Sequence, residues 1–145
     1  MTPAKQILAT AAVSAALVAS AAIAQPGVTK FTTVLIGANE VPGPGDPDGR
    51  GEATINVNSV KGQICWELNV RDIETATAAH IHSGAAGVSG PPVLGLSAPV
   101  TNDNSTGCED VAPALADAIR SSPKDYYVNV HNAPYPDGAL RGQLG

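Results

Sequence analysis

Three histidines, His80, His82 and His131, are the residues of this chain best suited to chemistry, and the chain has no others. His80 and His82 stand two apart in a run of strand-like character. Both imidazoles would therefore leave one face, roughly 6.5 to 7 Å apart at the backbone. Two imidazoles can close that gap on a single ion. His131 ends a second run of strong β-formers, in which Tyr127, Asn129 and His131 share a face. Each run leads into a segment rich in Gly or Pro, and strand ends of that kind are expected to meet at one rim of a sandwich. Three imidazoles gathered there suit copper or zinc, copper being favoured, with a fourth position left for water or another ligand. Asn129 is placed to orient an imidazole by a hydrogen bond, although plain strand polarity would also put an Asn there. A His-x-His pair alone is a weak signal. What gives it weight is that every histidine falls in one of two spots.

Other chemistry is poorly provided for. Ser83 has no spare base to activate it, so no catalytic nucleophile stands out and a hydrolase is not expected. Asp46, Asp48 and Glu52 have the wrong glycine position and spacing for a calcium loop and read as a solvated acidic turn. Gly84, Gly87 and Gly90 do not open a helix, as a phosphate loop would. The formal charge is −5, and it becomes −6 without Lys5. An acidic domain of this kind repels nucleic acid and anionic lipid, so neither is an expected partner.

The elements that must position the histidines can be read from pattern. Residues 1–24 have one Lys, a long Ala/Val/Leu/Ile run and a closing Ala22-Ile23-Ala24, which is the form of a secretory signal peptide. The expected mature domain is residues 25–145, periplasmic or secreted, without a membrane span. Its two cysteines, Cys65 and Cys108, are expected to form a disulfide in such a compartment, worth roughly 4 kcal/mol at most. Two buried thiols, or a metal ligand each, are the alternatives. Strands are expected over residues 31–36, 53–57, 64–70, 76–82, 93–96, 126–131 and 139–144. The clearest is 64–70, where Ile64, Trp66, Leu68 and Val70 alternate with polar residues or Cys65. A helix is expected over residues 110–120, capped by Asp110. Short strands with Gly/Pro punctuation imply an all-β, antiparallel, Greek-key-like sandwich or barrel with one short helix. Aromatic residues make up only 3% of the chain, so the core must be aliphatic around Trp66.

Four stretches carry a resemblance: LIGANEVP at 35–42, AHIHSGAAG at 79–87 with Gly90-Pro91, YVNVHN at 127–132, and PDGALRGQL at 136–144. In order and spacing they resemble the CHRD (chordin) domain over about residues 29–144. That family occurs in chordin and in many small exported microbial proteins. The resemblance implies an all-β sandwich in an exported protein, and it says little about activity. The His-x-His strand and the later His are also loosely similar to the copper region of copper/zinc superoxide dismutases. Here no fourth His exists to bridge two metals, so the likeness implies a histidine-lined site and not dismutase activity. Within the CHRD motifs, Glu40 and Arg141 are expected to close the first and last strands by an ion pair or backbone bonds. The leading expectation is an exported protein binding one copper or zinc ion, with little or no catalysis. The alternatives are a metal-free interaction module with a cell-envelope protein partner and a mononuclear copper redox enzyme.

Overall fold

A computed structural model describes residues 27–145 apart from residue 102. The expected signal peptide lies outside the described residues. Eight strands follow in order: β1 (Val28–Ile36), β2 (Arg50–Asn58), β3 (Gln63–Arg71), β4 (Ala76–Ser83), β5 (Pro92–Leu96), β6 (Asn104–Asp110), β7 (Tyr126–Asn132) and β8 (Leu140–Gln143). One α-helix, α1 (Pro113–Ser121), lies between β6 and β7. Every strand pairing is antiparallel, in the order β5-β4-β7-β8-β1-β2-β3-β6. The crossovers that place β7 beside β4, β8 beside β1 and β6 beside β3 are those of the Greek-key-like, all-β fold expected.

The sheet coils until it is nearly closed. Ser105 on β6 donates from Oγ to the carbonyl of Ser97, just beyond β5, at 2.7 Å. Inside, the period of two is obeyed closely. Ile55 and Val57 from β2, Ile64, Trp66 and Leu68 from β3, Ile81 from β4, and Val128 and Val130 from β7 are buried in one aliphatic cluster around the indole. Each fully buried side chain of this size contributes about 1.5–3 kcal/mol. The helix adds Ala116 and Ile119 to the same cluster. Among the described residues no helix is long and apolar enough to cross a membrane.

Two elements depart from the reading of the sequence. Residues 104–110, given no strand there, form β6. Its composition, Asn-Ser-Thr-Gly-Cys-Glu-Asp, lacks the β-branched alternation that marks a strand, and its position is set by long-range partners instead. Cys65 lies opposite Cys108 in the β3–β6 ladder with the two sulfurs at disulfide distance. Gly107 lies opposite Trp66, and a Cβ there would collide with the indole. The helix accordingly begins later than expected. Asp110 ends β6, Val111 extends the pairing by donating to the Gly62 carbonyl at 2.8 Å, and Pro113 takes the first helical position with no side-chain cap.

Candidate metal centre

The histidines do not converge from strand ends at a rim. They lie on the outer face of two adjacent strands, because β4 and β7 run antiparallel and their far ends are opposed. His80 pairs with Asn129 and His82 with Tyr127, while His131 pairs with Ala78, so His80 and His131 are diagonal neighbours. Diagonal Cβ positions are about 7–8 Å apart, within reach of rings leaning toward each other. His80 Nδ1 is 3.2 Å from His131 Nε2. The ring centroids of His80 and His82 are 5.4 Å apart, and those of His82 and His131 are 6.4 Å apart. Each residue offers one nitrogen such that all three lie within 4.8 Å of one another.

The outer bonds of the rings decide where their lone pairs point. His82 Nδ1 is 2.8 Å from the Gly90 carbonyl, and His131 Nδ1 is 2.9 Å from the Pro136 carbonyl. A carbonyl only accepts, so each Nδ1 carries the proton and each Nε2 keeps a lone pair. This is the arrangement in which a metal-ligating imidazole is usually held. His82 Nε2 is buried and has no hydrogen-bond partner among the described residues. Burial is the main cause holding all three imidazoles below their ordinary pKa of 6.5. The neighbouring imidazoles add to this for His80, and for His82 and His131 the carbonyl bonds oppose it. The three rings are therefore neutral, and competent to donate lone pairs, at pH 7.

Around the rings lies a polar layer pressed under loops. Asn129 lies opposite His80 in the ladder but makes no hydrogen bond to an imidazole among the described residues. It is 2% exposed, and its Nδ2 donates to Glu40 Oε1 at 2.6 Å. Glu40, 6% exposed, has its pKa pushed up to about 7 by burial, against the pull of Arg141 and the Asn129 bond. The expected Glu40–Arg141 ion pair is absent among the described residues, although β1 and β8 do pair at Ile36 and Arg141. Arg141, 1% exposed, instead sets its guanidinium 3.4 Å over the Tyr127 ring. From Nη2 it donates to the carbonyls of Ala85 and Val88, each at 3.0 Å. The Tyr127 ring in turn lies parallel to His82. The carbonyls of Gly90 and Pro136 carry no side-chain signature, so the sequence could not have shown their part in the site.

Neither the curated proteins nor the solved structures offer a match to the chain. A family model described as the CHRD domain matches residues 31–144. That span includes all three histidines, both cysteines and the Glu40–Asn129 and Arg141–Tyr127 contacts, and over it the chain belongs to the CHRD domain family.

Proposed function

We propose that the chain is an exported CHRD-domain protein that binds one transition-metal ion through His80, His82 and His131, copper in preference to zinc. The observation that carries this reading is the pair of Nδ1 bonds to the Gly90 and Pro136 carbonyls, which leaves two Nε2 lone pairs beside His80. Tetrahedral ligation needs nitrogens about 3.4 Å apart, so modest ring rotation closes the set. His80 would take part by changing tautomer, its proton moving from Nδ1 to Nε2 and leaving the Nδ1 lone pair free. An all-imidazole set without thiolate suits Cu(II) or Zn(II), and affinity at such sites rises toward copper. No Asp, Glu or Cys joins the group among the described residues, so a coordination position stays open to water or an exogenous ligand. Export is supported by the leader-like pattern of residues 1–24 and by the Cys65–Cys108 pairing.

The test is metal content and stoichiometry of untagged protein beside a variant with His80, His82 and His131 all changed to Ala. One copper or zinc per chain, absent from the variant, is the expected result. No metal in either after loading overturns the reading and leaves an interaction module with an envelope protein partner. Turnover of an oxidant by the copper-loaded protein, lost in His131→Ala, would add the redox-enzyme reading to it.

A further inference from the structure

The segment joining β4 to β5 is fastened at several points by side chains from the strands beneath it. Gln143 Nε2 donates to the Gly84 carbonyl at 2.8 Å. Arg141 Nη2 holds the carbonyls of Ala85 and Val88. The Tyr127 hydroxyl accepts from the Gly90 amide at 3.2 Å and lies 3.3 Å from the Gly90 carbonyl. That same carbonyl accepts the His82 Nδ1 proton. A Cβ at residue 90 would overlap the Ser83 carbonyl, so only glycine lets the segment lie this close.

Arg141 is the unexpected member. A fully buried guanidinium without a carboxylate at ion-pair distance is costly; among the described residues it has none, and one of its nitrogens, Nη1, has no hydrogen-bond partner there. Its other bonds all go to the 84–90 segment, to Gln143 and to the face of Tyr127. Both Arg141 and Tyr127 therefore act on one object, the strap whose last carbonyl faces His82.

The geometry points to Arg141 and Tyr127 as positioning residues for His82: by clamping residues 84–90 they press the Gly90 carbonyl onto Nδ1, which fixes the Nδ1–H tautomer and directs the Nε2 lone pair at His80 and His131. Its consequence for metal affinity rests on the metal-binding reading above; its consequence for the His82 tautomer does not. Arg suits this post and Lys does not. The planar, delocalised guanidinium can stack on the phenol while Nη2 holds both carbonyls, whereas an ammonium is a strongly hydrated point charge on a flexible stem that cannot stack.

The experiment reads both consequences in one set of proteins: wild type, Tyr127→Phe and Arg141→Lys, each checked for folding by circular dichroism. Long-range proton–nitrogen correlation spectra of the metal-free proteins give the His82 tautomer, and titration with Cu(II) followed by electron paramagnetic resonance gives affinity and the copper signature. The wild type is expected to hold His82 as Nδ1–H. Both variants are expected to show mixed tautomers, an altered copper signal and an affinity about tenfold weaker. Unchanged tautomer and unchanged affinity in folded variants would overturn the inference. If Arg141→Lys does not fold, Tyr127→Phe decides, since it removes one hydroxyl and keeps the stacked ring. A tautomer that shifts in the variants while no protein takes up copper or zinc supports the positioning role and overturns the metal-binding reading.

Discussion

His80 and His131 come from strands 51 residues apart in sequence, yet their facing ring nitrogens are 3.2 Å apart. His131 Nε2 is the acceptor of that contact, because its Nδ1 proton is committed to Pro136. His80 Nδ1 must then be the donor in the metal-free protein. On the metal-binding reading, an ion would take the place of the proton that now lies between these two nitrogens.

Removing either ring should therefore abolish tight binding without harming the fold. His80→Ala and His131→Ala each delete one of three imidazoles from a half-buried surface cluster, and copper affinity is expected to fall about 100-fold or more. The metal-free melting temperature should stay within a few degrees of wild type. Competition titration and a thermal scan measure the two; an affinity kept within threefold in either variant contradicts the shared site.

Acid should release the metal. All three imidazoles titrate below 6.5 in the fold. Protons thus compete with the metal only at pH values below that figure, and affinity should be level from pH 8 to about 6.5 and then fall steeply. The metal-free fold follows the same sign. Its histidines bind fewer protons than the unfolded chain does below 6.5, so their contribution to stability is complete above that pH and is lost as pH falls. Affinity measured from pH 8 to 5 checks this, and a level line throughout contradicts it.

The legibility of this site in the sequence was uneven, for physical reasons. Alternation exposed Ile64, Trp66, Leu68 and Val70 as an inward face, and the two-residue spacing of His80 and His82 put both on one outward face, because each signal is local. The convergence of His131 depends on which strands neighbour each other, and pairing is not written in local pattern. β6 was illegible because Gly107 and Cys108 are chosen by Trp66 and Cys65 across the ladder rather than by strand propensity. Arg141 read as a partner of Glu40, by an ion pair or by backbone bonds that close the first and last strands, and only the strand closure, at Ile36 and Arg141, is present among the described residues. The fold instead sets its guanidinium over Tyr127, its diagonal neighbour across the β7–β8 ladder, and that register depends on strand pairing rather than on local pattern.

Glu40 should make the protein less stable as pH rises. Its carboxyl titrates near 7 in the fold against 4.5 when free. Between those values the native state binds the extra proton, so stability is greatest below 4.5 and declines until the group is ionised above 7. The full decline is about 3 kcal/mol. Glu40→Gln keeps an acceptor for Asn129 and removes the titration. The difference in unfolding free energy between wild type and this variant cancels the histidine contribution. It should move in the variant's favour by about 3 kcal/mol between pH 4.5 and 8 in denaturant titrations; a constant difference would show that Glu40 is ionised throughout.

Breaking the Cys65–Cys108 link should loosen one side of the sheet and leave the other intact. The link joins residues 43 apart and ties edge strand β6 to β3, whereas the histidines stand on β4 and β7. In order from the edge β6, the strands β3, β2, β1 and β8 all lie before β7. Cys65→Ser with Cys108→Ser should cost about 2–4 kcal/mol, chiefly by freeing the unfolded chain. Amide exchange should quicken most in residues 104–110, where β6 loses its covalent tie and has ladder partners only on β3. Copper affinity should be unchanged, because no bond to the rings or to the 84–90 strap passes through β6. Loss of affinity in a folded double variant would mean that the coiled sheet transmits strain from its edge to the centre, and that the imidazoles are held by the whole barrel rather than by the carbonyls of Gly90 and Pro136.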